Sequence, residues 1–265
     1  MQFPTLVRSF GLLIVVLAQA AVAQDTTPAR SSFFAMETGA HIEDAGVLTV
    51  ARGPFARTEA FEVVRRADGG RTVTSVITGA GESYRAEGRW DYDANELATF
   101  GAAKTSYDGM PTDIEIVASP PGATITVSAD GVRRSVPAPC DPDCLIDMSP
   151  SALPMFTMTR THSGEVGDSQ RFRWIAQALT LDQTLLKGHA DIRLLKTQSI
   201  DGLDVSQFIF VETITRPDTG EVTSFAFNLW VDDAHRPLAF DTVGGTLGTR
   251  AGFESITADM PPIFA

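Results

Sequence analysis

Apolar and polar positions alternate with a period of two along most of this chain, in short runs broken by Gly, Pro, Asn and Asp. Phe61 to Arg65 and Thr72 to Thr78 flank Ala67-Asp68-Gly69-Gly70, the pattern of a β-hairpin with a glycine turn. Ser83 to Tyr92 and Leu97 to Ser106 follow, separated by Asp93-Ala94-Asn95. Asp113 to Ala118 stops at Pro120-Pro121-Gly122, and Thr124 to Ser128 and Val132 to Val136 flank Asp130-Gly131, a tight-turn dipeptide. Farther on, Arg171 to Ala178 alternates Phe172, Trp174 and Ala176 with more polar neighbours, and Leu185 to Ser199 reads as a long strand or as a short helix feeding one. Gln207 to Thr215 and Val222 to Val231 flank Pro217-Asp218-Thr219-Gly220, and on the second run Phe225, Phe227, Leu229 and Val231 share one face. Asp232 to Pro237 turns the chain into Leu238 to Val243, and a last strand is expected from Gly252 to Ile256.

Helical periodicity is weak. Its one good candidate is Ser151 to Thr161, with Ser149 as a cap and Pro154 in the first turn. Parallel strands need crossover helices, and there are too few, so the sheet is expected to be antiparallel. The pattern predicts a mainly β fold: a strongly curved antiparallel sheet, a β-roll or half-barrel, with a short central helical segment. Phe208, Ile209, Phe210 and Val211 are apolar on both faces of their strand. One face then packs on a core, and the other meets a second layer, a helix or an enclosed cavity.

The N-terminus departs from this rhythm. Arg8 precedes an apolar run from Phe10 to Ala23 that ends in Ala21-Val22-Ala23 before Gln24. That is the arrangement of a cleaved signal peptide, and the run is short for a membrane span of about 20 apolar residues. Residues 1–23 are therefore expected to be removed, leaving 24–265 as a single β-rich domain in the periplasm or secreted. The chain carries a net charge of −12, and loss of Arg8 makes it more acidic still. Such a chain is a poor partner for nucleic acid or for anionic lipid heads, and no span is expected after removal of the leader. In an oxidising compartment Cys140 and Cys144 are expected to form a disulfide. It would close a small loop worth about 2 kcal/mol.

No catalytic signature stands out. There is no Gly-x-Ser-x-Gly elbow, Asp232 and Asp233 sit at a strand-to-strand turn, and Gly244-Gly245-Thr246-Leu247-Gly248 lacks the lysine of a phosphate loop. A non-enzyme is expected, with no cofactor. Cys140, Cys144, Met148, Met155, Met158 and His162 are soft or borderline ligands that would suit Cu(I). Against that reading, methionines on a short helix fill irregular apolar space, and a disulfide removes both thiolates. Core packing is the preferred reading, and a copper-binding periplasmic protein ranks third among functions.

The segment Cys140-Asp141-Pro142-Asp143, followed by Ile146-Asp147-Met148-Ser149-Pro150-Ser151-Ala152-Leu153-Pro154-Met155, resembles the central signature of the glycolipid-binding family. Leu153-Pro154-Met155 matches its Leu-Pro-Ile element, and Asp147 and Pro150 match the lead-in. Ala152 stands where the family has Asn, and Thr157 and Met158 replace a basic pair, with Arg160 the nearest base. Asn228-Leu229-Trp230-Val231-Asp232-Asp233 with Arg236-Pro237-Leu238 is similar to a late hairpin of the LolA-like periplasmic lipoprotein carriers. The resemblance implies a spiral β-roll and a lipid, glycolipid or lipoprotein acyl chain as ligand. Sixteen Phe against three Tyr and three Trp fit an apolar interior. The expected lining is Phe172, Trp174, Phe208 and Phe210, with Phe225, Phe227, Leu229 and Trp230. Met155, Phe156 and Met158 are expected to form a cover. Burial of acyl chain would be worth about 0.8 kcal/mol per CH₂. The alternative is a non-enzymatic structural or interaction protein of the cell envelope with a packed core.

Overall fold

The alternating runs become strands, and the glycine-marked breaks become the turns between them. The computed structural model describes residues 30–50, 56–79, 84–107, 110–119, 122–129, 131–139, 144–147, 151–176, 186–215, 219–243 and 245–263. Strands β1 (His41–Val50), β2 (Arg57–Arg65), β3 (Arg71–Gly79), β4 (Tyr84–Tyr92), β5 (Ala98–Tyr107), β6 (Met110–Ser119), β7 (Gly122–Ala129) and β8 (Val132–Pro139) form one antiparallel meander. A short strand β9 (Cys144–Asp147) and a helix α1 (Leu153–Thr161) follow. A second meander then runs through β10 (Ser169–Ala176), β11 (Leu186–Ile200), β12 (Leu203–Thr215), β13 (Val222–Asp232), β14 (Pro237–Thr242) and β15 (Leu247–Arg250), ending in one turn of helix, α2 (Ile256–Asp259). The sheet is antiparallel throughout except that β9 pairs parallel to β10.

The two meanders join through β1 and β15, with Leu48 opposite Arg250. Among the described residues the order is β8-β7-β6-β5-β4-β3-β2-β1-β15-β14-β13-β12-β11-β10-β9. The two outermost strands, β8 and β9, are thus consecutive in the chain. Four residues join Pro139 to Cys144, and five peptide steps reach at most about 18 Å. The far edges of the sheet must therefore curl toward each other. They do not pair. Strand β9 instead comes within 8 Å, Cα to Cα, of β5. Both edges of β5 are already hydrogen-bonded to β4 and β6, so β9 meets its face, and the sheet is an overlapping roll rather than a closed barrel.

The inner face of the roll forms one apolar cluster. It draws on Leu48, Phe61, Val63, Trp90, Ile116 and Ile125 from the first meander, and on Phe172, Ile192, Phe210 and Leu229 from the second. Two pieces of chain cover parts of the outer face. Arg30 to Ala40 crosses β2 to β5, where Arg30 pairs with Glu62 at 2.6 Å, the Ser32 amide donates to Glu87 at 2.7 Å and Lys104 lies over the Phe33 ring. That cover explains why every side chain of β3 from Arg71 to Ile77 is buried. At the other end α2 covers β13 and β14, where Trp230, Leu238, Ile256 and Met260 form a second cluster. The Trp230 indole N–H donates to the Met260 carbonyl at 3.0 Å.

Two boundaries are corrected, and two strands appear where the sequence carried no recognised pattern. The last strand is Leu247–Arg250, not Gly252 to Ile256. Gly252 takes φ +88°, a left-handed conformation that ends an extended strand. Of the two readings of Leu185 to Ser199 the long strand holds: Leu186–Ile200 is strand throughout, with a bulge between Leu194 and Lys196. Strands β1 and β9 carried no recognised pattern, and the helix begins at Leu153 rather than Ser151. The proposed Ser149 cap lies outside the described residues.

Candidate functional site

The concave face of the roll is occupied. Helix α1 lies against β13 and β9, and every residue from Leu153 to Thr159 is buried. A surface helix shows one apolar stripe, whereas this one is enclosed all round, as a central plug. Pro154 fits because the first turn of a helix has no use for its missing N–H. The three threonines turn their hydroxyls back onto the helix. Thr157 donates to the Leu153 carbonyl at 3.3 Å, Thr159 to Phe156 at 2.7 Å and Thr161 to Met158 at 2.9 Å. These bonds satisfy the hydroxyls without any partner from the sheet, which is what lets a Thr-containing helix sit in an apolar interior.

The sheet secures each end of α1 with polar groups. At the N-terminus no side chain of the helix caps it. Glu59 of β2, fully buried, does so from outside: Ser151 Oγ donates to one carboxylate oxygen and the Ala152 amide to the other at 3.2 Å. A carboxylate there also suits the positive end of the helix dipole. Burial raises the Glu59 carboxyl above its ordinary value, while the Ser151 bond and the Arg57 charge draw it back down. Near Glu59, burial pushes the Tyr84 hydroxyl up to about 12.

At the C-terminus Arg160 reaches Glu43 at 3.7 Å, and burial holds its guanidinium below the ordinary arginine value. His235 Nδ1 lies 3.1 Å from Thr159 Oγ1. That hydroxyl already spends its proton on Phe156, so Oγ1 accepts and Nδ1 carries the hydrogen. Burial, then the Arg160 charge, lowers the His235 pKa below its ordinary value. A cavity of about 20 Å³ lies here, lined by Val63, Arg71, Val73, Leu153, Phe156, Thr157, Arg160, His235 and Pro237. Charge pairs surround it: Arg71–Glu43 at 2.6 Å, Arg71–Glu96, Arg250–Asp44 at 2.7 Å and Arg236–Asp232 at 2.5 Å.

The structure separates the expected lining residues. Phe172, Phe208, Phe210, Leu229, Met155, Phe156 and Met158 share the inner cluster, and Phe227 packs against it. Phe225 continues the same face but is 48% exposed. Trp230 is a correction: it points to the outer face, because neighbours on a strand alternate and Leu229 and Val231 point inward. The Trp174 side chain lies outside the described residues, as do Cys140 and the Cys144 side chain, so the disulfide does too. Met155 and Met158 are packed in the core, while His162 stands edge-on to the Phe208 ring at 5.5 Å. Among the described residues no group of three His, Cys, Asp or Glu is placed to hold a metal, and no helix is long and apolar enough to cross a membrane. Sequence reasoning missed Glu59, Arg160 and His235. Glu59 carried a usable signal: it is a charged residue in phase with Phe61 and Val63 on a strand's apolar face.

The fold and its occupant define a class: a mainly β roll around an internal helix. No family model matches the chain, and no curated protein matches it. Among solved structures it is similar to a DUF1089 family protein from Pseudomonas aeruginosa, at 15% identity and a TM-score of 0.41, covering 71% of this chain and 90% of that one. A likeness at that level carries no argument about this chain.

Proposed function

We propose that this protein binds an apolar or amphipathic molecule, such as a lipid, glycolipid or lipoprotein acyl chain, in the concave face of the roll, and that it does so in the periplasm or after secretion. The observation that carries this reading is the plug. Helix α1 is buried on every side yet is held to the sheet by polar contacts at its two ends, Glu59 at one and Arg160 with His235 at the other. Along its length the contacts are apolar and non-directional. An acyl chain offers the inner face the same kind of surface, at about 0.8 kcal/mol per CH₂ buried. In this reading α1 yields to the ligand and gives up its polar anchors at Glu59, Glu43 and His235, while the strand pairing is kept. The reading assigns no chemical step to any residue.

The test is native mass spectrometry of protein extracted under mild conditions, with melting temperatures measured against a lipid panel. A retained lipid mass and a rise in melting temperature support the reading. A protein that carries no lipid and gains no stability from any member of the panel refutes it. That second result would favour a non-enzymatic structural or interaction role in the cell envelope. One observation speaks for that alternative: the cavity beside α1, at about 20 Å³, is far smaller than the ligand pockets of about 300–1,000 Å³ found in binding proteins.

A further inference from the structure

The C-terminal end of α1 carries a charge that its neighbours do not match. Arg160 has a side chain only 12% exposed, and among the described residues its guanidinium reaches one carboxylate, Glu43, at 3.7 Å. That carboxylate is already engaged. Arg71 holds both its oxygens, at 2.6 and 3.1 Å, and Arg65 adds a bond at 3.3 Å. Asp44 and Asp232 attract Arg160 from farther away, but each is bonded to its own arginine, Arg250 and Arg236. Three guanidiniums therefore share Glu43, with only Arg71 also paired to Glu96. Buried cations are ordinarily paired and hydrogen-bonded.

Arg160 borders the cavity of about 20 Å³. One ordered water needs roughly 10–15 Å³ of such space, so the cavity has room for one or two oxygen atoms. Its wall has two sides. Arg71, Thr157, Arg160 and His235 are polar, and Val63, Val73, Leu153, Phe156 and Pro237 are apolar. Polar groups converging on an apolar hollow resemble the polar end of a ligand site, here at a size that takes one head group and not a whole ligand.

We propose that this cavity is a carboxylate site, in which Arg160, with Arg71 beside it, takes the –COO⁻ of a small organic acid or of an anionic amphiphile whose chain enters the concave face of the roll. The amphiphile source rests on the reading that the concave face takes such a ligand. A planar guanidinium suits a carboxylate because it can donate two parallel hydrogen bonds.

Isothermal titration of the lipid-stripped protein with sodium acetate, sodium octanoate and 1-octanol tests this. Octanoate is expected to bind about 10- to 100-fold more tightly than octanol, the worth of one or two charge-assisted hydrogen bonds. Arg160→Met should abolish that preference and Arg160→Lys should keep part of it. In the unaltered protein the His235 ring pKa should rise as octanoate is added, because a negative charge has arrived beside it. This readout holds even if a variant fails to fold. Equal binding of octanoate and octanol, or octanoate binding unchanged in Arg160→Met with a static His235 pKa, overturns the site. Arg160-dependent binding of acetate without any gain for octanoate keeps the carboxylate site and overturns the amphiphile reading.

Discussion

Replacing Glu59 with Gln tests how α1 is anchored. Glu59 accepts from Ser151 Oγ and from the Ala152 amide in a fully buried setting. Burial raises its folded-state pKa above the ordinary 4.5. Between 4.5 and the raised value the folded protein therefore binds more protons than the unfolded chain, and stability must fall as pH rises through that window. The slope for one group is at most about 1.4 kcal/mol per pH unit. Below pH 4.5 the carboxyl is protonated in both states and resembles the carboxamide, so the two proteins should differ by about 1 kcal/mol or less, one neutral hydrogen bond. With rising pH the wild type should lose ground to Glu59→Gln, whose side chain has no proton to lose. Urea unfolding from pH 4.5 to 8 measures this, followed by the fluorescence of Trp90 and Trp230, both essentially fully buried. Taking the difference between the two proteins cancels the other carboxylates. A difference that stays constant with pH, or that moves in favour of the wild type, refutes the buried-carboxylate account of the helix anchor.

Other outcomes follow from the same geometry. Phe156, 2% exposed at the centre of α1, should cost about 3–5 kcal/mol on replacement by Ala, measured by denaturant unfolding. The His235 pKa is lowered on folding from its ordinary 6.5, so the unfolded chain binds the proton more readily and stability should fall as pH drops through 6.5. Replacement by Gln should flatten that dependence in thermal scans. At Gly248 an added Cβ would meet the Phe240 ring at 2.2 Å, so Gly248→Ala should lower stability by about 1–3 kcal/mol through overpacking.

Much of the fold was legible because its strands obey the simplest rule. On β4 one face is buried and the other is not, so Ala86, Trp90 and Tyr92 declare themselves by spacing alone. What escaped depended on partners distant in sequence. Strand β1 buries Leu48 and Val50 but pairs with β15 some two hundred residues later, and its Gly46 is tolerated because the Arg250 side chain and the Phe61 ring lie over it. Trp230 belongs by composition to an aromatic lining, yet its place was decided by α2 and Met260 on the far side of the sheet. The anchors of α1 were legible only in part, for the same reason: Glu59 stands out on an apolar face, but its partner does not. Nothing local to Glu59 says that Ser151 will arrive above it, and nothing local to Arg160 says that three arginines will share one carboxylate. The plug itself was half visible: the buried methionines were expected to be apolar contacts, as they are, but they were expected to cover the concave face rather than fill it.

The central claim is that α1 holds the place of a ligand. Amide hydrogen exchange over residues 153–161, measured with and without a bound amphiphile identified by native mass spectrometry, tests it most directly. The account predicts slow exchange in the free protein and a clear loss of protection in this segment when ligand binds, while β12 and β13 stay protected. Unchanged or increased protection of 153–161 in the loaded protein would contradict it, because the helix would then be a permanent part of the core.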